Sequence, residues 1–202
     1  MDKLIRVSMK KNFLRLLVLT ILSSIGCATG VNTTNSTQEW AELNGYYSAH
    51  FGMNEGDLIN VIHNDFGKNK SEVLRQVHPN ENTISLEITT LKLSPEIGGA
   101  KVFYILDYKS KRLVQVNVIW GRPVVVNPNK RNIVEVANHI RNNLFQKLYQ
   151  KEGFALNSQL GEGVILVFQG KDRKGRAVRL LLNNPKDENI SLTLSYIEKP
   201  ID

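Results

Sequence analysis

Four histidines are the residues best suited to proton transfer or metal binding in this chain: His50, His63, His78 and His139. Imidazoles make a metal site when their spacing puts them on one face, as in H-x-H, H-x-x-x-H or H-E-x-x-H. None of those spacings occurs. His63-Asn64-Asp65 brings an imidazole and a carboxylate near one helix end, but residues two apart do not share a helix face. His63 therefore reads as a surface residue, and His139 as part of the polar side of a helix. Gly98-Gly99 and Gly161-Glu162-Gly163 are loop glycines without a phosphate cradle, and no nucleophile elbow is present. The carboxylates of Glu87 and Asp107 belong to separate strands and nominate no glycosidase pair. The chain reads as non-catalytic, with no catalytic residue, no cofactor and no metal.

Two basic turns are the more informative polar feature. One holds Lys109, Lys111 and Arg112; the other holds Lys171, Arg173, Lys174 and Arg176. On one edge of a sheet they would meet anionic headgroups or an acidic partner, at about 1 kcal/mol per residue near such a surface. Charged turns also serve simply to keep a domain soluble. Trp120 ends an alternating strand; it is a core aromatic, or a contact residue if exposed. Trp40, Tyr46 and Tyr47 precede the first helix and either pack an N-terminal arm or offer an aromatic patch.

The one cysteine, Cys27, closes the stretch Met9–Cys27. Lys10, Lys11 and Arg15 precede the apolar run 16–22, and Ser23, Ser24 and Gly26 lead to the thiol. A basic segment, a short apolar run and small residues are the parts of a secretory signal. The run is much shorter than the roughly 20 apolar residues of a bilayer-spanning helix. The segment resembles a bacterial lipoprotein signal, in which the cysteine after a small residue is lipidated and becomes the mature N-terminus. That resemblance implies a signal peptide over 1–26 with Met9 as its start, lipidation of Cys27, and a membrane anchor. Ala28 in place of Asp favours the outer membrane over the inner, on the periplasmic side. An ordinary secretory signal cut after Ala28 is the alternative, and it would release a soluble secreted protein.

Charge changes once that segment is set apart. The full chain carries 26 Lys+Arg against 19 Asp+Glu, a formal +7. Residues 1–26 hold five of those bases and one of the acids, so 21 bases and 18 acids remain, a balance of +3. Nucleic-acid binding calls for a basic patch on the folded domain, and this balance argues for no nucleic acid. No cysteine follows Cys27, so the fold has no disulfide and must stand on core packing. Residues 27–39 are mostly polar and read as a flexible tether; residues 40–202 read as a single domain.

Periodicity places the elements. Asn54 caps a helix over Glu55–Phe66 with Leu58, Ile59, Val61, Ile62 and Phe66 as its apolar stripe, and Gly67 stops it. Strands follow near Ile84–Thr89, Lys101–Leu106 and Val114–Trp120, the last with Val114, Val116, Val118 and Trp120 facing inward. A second helix runs from Lys130 to about Gln150, with Gly153 as its stop, followed by strands near 154–160, 164–169, 176–182 and 190–197. In the last, Ile190, Leu192, Leu194 and Tyr196 alternate with Ser191, Thr193 and Ser195. This predicts an α+β fold of two αβββ repeats, about 45–122 and 128–198, forming a largely antiparallel sheet with the helices packed on one face. The hairpin 104–114 is matched to the hairpin 166–178.

Phe51-Gly52-Met53 before a capped helix that ends in Phe66-Gly67 resembles the repeat unit of the β-lactamase inhibitor protein fold. It is also similar to the SmpA/BamE-type outer-membrane assembly lipoproteins, which share that unit. The resemblance implies a protein-binding role in the cell envelope and transfers no contact residue. Beside it stand a secreted inhibitor-like protein and a small-molecule-binding or hydrolytic envelope protein with His50 or His63 in a cleft.

Overall fold

A computed structural model describes residues 38–94 and 97–200. Cys27 and residues 1–26, read above as a signal peptide, lie outside the described residues. Two short strands, β1 (Gly45–Tyr46) and β2 (Ala49–His50), form a small hairpin ahead of helix α1 (Glu55–Phe66). Strands β3 (Leu74–Val77), β4 (Ile84–Thr90), β5 (Ala100–Leu106) and β6 (Leu113–Gly121) follow as a meander. Helix α2 (Lys130–Phe145) leads to a second meander, β7 (Ala155–Gly161), β8 (Val164–Lys171), β9 (Ala177–Asn183) and β10 (Ser191–Ile197).

The eight strands β3 to β10 form one sheet in the order β3-β4-β5-β6-β10-β9-β8-β7, and every neighbouring pair is antiparallel. The first meander builds one half outward to inward. The second does the same from the other side, so β10 closes against β6 with Leu194 opposite Val118. The class is α+β, as the sequence predicts, with four strands after each helix, one more than expected after the first.

Local signals explain α1. The Asn54 side chain accepts the Asp57 N–H at 3.0 Å, satisfying a helix-end donor. Gly67 ends the helix at φ 71°, a conformation that costs a residue with a Cβ. Leu58, Ile62 and Phe66, at steps of four, are all buried. Asn129 caps α2 in the same way, accepting from Asn132 N–H at 3.2 Å.

One face of the sheet is sealed. Val102 and Tyr104, Val116 and Val118, Leu180, Leu192 and Phe168 are completely buried in a single cluster that includes Leu58 and Ile62 of α1 and Ile133 and Ala137 of α2. Both helices thus give their apolar stripes to the same side of the sheet.

Three expectations are corrected. Helix α2 ends at Phe145, not near Gln150, because Leu148 leaves the helical path to bond the N-terminal arm. In β6 it is Leu113, not Val114, that faces the core: register shifts between Ile105–Gln115 and Leu106–Leu113, leaving Val114 as the extra residue of a bulge. Strand β3 was unforeseen; its four residues are all exposed at the sheet edge and carry no inward-outward pattern.

Burial raises four phenols. The hydroxyls of Tyr46, Tyr104, Tyr149 and Tyr196 are all pushed up by desolvation, and neighbouring tyrosines add to the shift at Tyr46. Tyr104 is fully buried and its hydroxyl has no hydrogen-bond partner among the described residues. The native state therefore holds these protons more tightly than the unfolded chain. Their contribution is complete below the unfolded value of about 10 and is lost as pH rises above it. On an alkaline titration, phenolate absorbance from these four rings should appear only together with loss of the native circular dichroism. A smooth rise exceeding what the exposed Tyr47 and Tyr108 supply, with the fold intact, would refute their burial.

Candidate binding surfaces

Among the described residues, no helix covers the second face of the sheet. Register places its residues in cross-strand rows. One row runs Leu74, Glu87, Phe103, Asn117, Ser195, Arg179 and Gln169 from β3 to β8. A second runs Thr89, Lys101, Ile119, Thr193, Leu181 and Leu166, and a third runs Ser85, Ile105, Gln115, Ile197 and Ala177. Phe103, Ile105, Ile119, Leu181 and Ile197 are half-buried, in contrast with the complete burial of their neighbours on the helix side. Large apolar groups are therefore interleaved with polar ones across the width of the sheet.

The charges of this face are few. Lys101 and Glu87 form an ion pair with side chains 31% and 11% exposed. Arg179 donates to Gln169 Oε1 at 2.8 Å and pairs with no carboxylate among the described residues. A half-buried guanidinium with a neutral partner has further N–H donors of the geometry that matches a carboxylate.

A different surface lies at one end of the strands. The third row continues to Lys171, so the β5–β6 turn and the β8–β9 turn sit at the same end of the sheet. An N-terminal strap, residues 38–53, crosses that end. Gln38 Nε2 donates to the carbonyls of Phe145 and Lys147 at 3.0 and 3.1 Å. Leu148 N–H donates to Glu39 O, and Ala41 N–H donates to Leu148 O. Leu43 N–H reaches Asp172 Oδ2 at 3.1 Å. Beyond the β1–β2 hairpin, Gly52 N–H donates to Leu113 O, and Leu113 N–H donates to Met53 O.

The basic residues of the two turns have different situations. Arg176 is committed: its guanidinium bonds Asp172 at 2.8 Å through Nε and 2.7 Å through Nη2, and Nη1 donates to Asn44. Arg173 stacks over Trp40 at 4.4 Å from the ring centre. Lys111 lies over the Tyr108 ring, and Arg112 donates to Gly52 O at 3.2 Å. Lys109 and Lys174 are exposed, and their ammonium groups enter no ion pair among the described residues. Lys171 lies half-buried along Gly153.

Trp120 does not serve as a surface contact. It is 2% exposed on the helix side, with its indole N–H aimed at Leu93 O at 3.4 Å. Tyr46 packs on Tyr196, and Tyr47, though 59% exposed, lies against Phe66. All four histidines are exposed. His63 Nδ1 is 3.3 Å from Lys68 O, and His139 Nε2 is 3.1 Å from the Asn143 amide. Among the described residues no group of His, Cys, Asp and Glu is arranged to hold a metal, and no helix is long and apolar enough to cross a membrane.

No protein-family model, curated protein or solved structure matches this chain. The surfaces must be read from their own chemistry. Sequence reasoning located the basic turns but missed Asp172, the 1%-exposed carboxylate around which the second one is built. Its only local mark is Asp172 followed by Gly175, a turn signature without any indication of burial.

Proposed function

We propose that this protein is a non-catalytic envelope lipoprotein, lipidated at Cys27 and held on the periplasmic side, with the outer membrane favoured. Its domain binds a protein partner across the helix-free sheet face. The observation that carries this reading is that face itself: Phe103, Ile119, Leu181 and Ile197 half-buried among polar residues, with Arg179 unpaired by any acid among the described residues. Interfaces concentrate their binding energy in such apolar and arginine positions. An acidic group on the partner would complete Arg179.

The chain order supports a duplicated unit, each copy a helix followed by a four-stranded meander, with β6 and β10 meeting at the centre. In that arrangement the β5–β6 hairpin corresponds by position to β9–β10, not to the basic β8–β9 hairpin. The resemblance of 51–67 to the β-lactamase inhibitor protein unit points the same way, since that family binds protein.

A photo-crosslinking residue at Asn117 or Thr193 should trap a discrete envelope protein in intact cells, while one at exposed Asn60 of α1 should not. Arg179→Ala should weaken the trapped product several-fold. Equal products from Asn60 and Asn117 would remove the sheet face from consideration. Cys27→Ala should move the protein from the membrane to the soluble fraction with the domain folded; unchanged fractionation would end the lipoprotein reading.

A further inference from the structure

The strap fixes where the chain from Cys27 joins the domain. Gln38 is exposed and is held against the end of α2, where it shares a shallow groove with Phe145, Lys147, Lys151 and Phe154. Phe145 is 54% exposed and Phe154 is 38% exposed. Their rings lie 6.4 Å apart, and Phe154 stands edge-on to the buried Phe168 at 5.6 Å. The pair is thus an aromatic outcrop rooted in the core. The β8–β9 turn with Arg173 and Lys174 borders it, because Gln150 N–H donates to Lys171 O and Arg173 covers Trp40 of the strap.

Charge at this end is mixed, with a basic excess. Lys147, Lys151, Arg173 and Lys174 stand against Glu39, Glu42 and Glu152, and Glu39 is bound to Lys147 at 2.8 Å. Aromatic rings flanked by lysine and arginine match the headgroup layer of an anionic bilayer, where rings sit at the interface and bases meet phosphates.

Ten residues lie between Cys27 and Gln38, eleven Cα-to-Cα steps. A chain of that length spans at most about 40 Å. An anchor at Cys27 therefore keeps the Gln38 end of the domain close to the bilayer and raises its local concentration there. From these observations we infer that the strap end of the domain docks on anionic phospholipid, with Phe145 and Phe154 at headgroup level and Lys151, Arg173 and Lys174 over the phosphates. The inference rests on the proposed anchoring at Cys27. Docked this way, the strands lead away from the bilayer and the helix-free face stays open to a partner.

The test uses the single thiol. Every described element lies within 38–200, so the chain from Cys27 onward retains the whole core. Coupling Cys27 to a maleimide lipid supplies an anchor whether or not cells attach one. On vesicles of phosphatidylethanolamine and phosphatidylglycerol with brominated acyl chains, Phe145→Trp should add emission that is blue-shifted and quenched about twofold. Measured as the difference from the parent chain, whose own Trp40 lies at the docked end, the emission added by Leu160→Trp, also exposed but at the far end of β7, should be unaffected. Adding Lys151→Glu and Lys174→Glu to Phe145→Trp should abolish most of the quenching. Equal quenching at both positions, or solvent-like emission from position 145 on the anchored chain, would overturn the docking. So would an indole at 145 that is shielded only after an envelope protein is added. If cellular Cys27→Ala leaves fractionation unchanged while the coupled chain is quenched as expected, the lipoprotein reading fails and the docking surface stands.

Discussion

Asp172→Ala is expected to lower the free energy of unfolding by about 3–5 kcal/mol, the cost of removing one partner from a buried ion pair. Asp172 is 1% exposed and the Arg176 side chain 13%. The carboxylate accepts from Lys174 N–H at 2.8 Å, Arg176 N–H at 3.0 Å and Leu43 N–H at 3.1 Å, as well as from the guanidinium. Truncation would leave the guanidinium and three backbone donors without their acceptor, and an unsatisfied buried donor costs more than a hydrogen bond contributes. For a domain of this size the melting temperature should fall by about 10 °C. Arg176→Met should cost less than Asp172→Ala, because the carboxylate keeps its backbone donors. The double variant should cost less than the sum of the singles, since the two groups share one interaction. Leu43 should show a second effect: its amide, now without Asp172, should exchange with solvent faster than the amides of β9. A loss below about 1 kcal/mol, the range of an exposed pair, would show that the network does not hold the strap.

That network also marks where sequence reading stops. The bounds of α1 were legible because both of its ends are local: Asn54 caps three residues ahead, and Gly67 takes a left-handed conformation. The alternation of β10 was legible because Leu192 and Leu194 are buried and Thr193 is not. Helix α2 was read too long because Leu148 continues its apolar spacing. What removes Leu148 from the helix is a pair of bonds to Glu39 and Ala41, residues more than a hundred positions earlier. Val114 was assigned inward because a bulge shifts the period by one residue and leaves no mark in composition. Asp172 lies 129 residues from Leu43. In the sequence it is one charge in Lys-Asp-Arg-Lys-Gly-Arg, a run that reads as a solvated turn. The sheet face needed the structure for a related reason: the rows that bring Phe103, Asn117 and Arg179 into line are set by cross-strand register, and only the alternation within each strand is local.

Phe168→Ala is expected to be as damaging as the loss of Asp172, at about 3–5 kcal/mol, because it removes a large aromatic side chain from a site too constrained to collapse. Phe168 is fully buried on β8, opposite Leu180 of β9 and Leu156 of β7. Tyr149 stands edge-on to it at 5.1 Å and Phe154 at 5.6 Å. The Tyr149 ring is itself fixed over Gly170, in the space that a Cβ there would fill. The backbone of β8 therefore blocks the most direct way for Tyr149 to move into the cavity. Phe168→Leu should recover more than half of the loss, since it restores most of the apolar volume. The consequence extends beyond stability. Phe154 leans on Phe168 and Phe145 leans on Phe154, so removing the inner ring loosens the outcrop beside Gln38. On the anchored chain, Phe168→Ala combined with Phe145→Trp should weaken quenching by brominated lipid at temperatures where circular dichroism still reports a folded domain. Undiminished quenching in that variant would mean that Phe145 docks on its own and that the aromatic stack contributes only to the core.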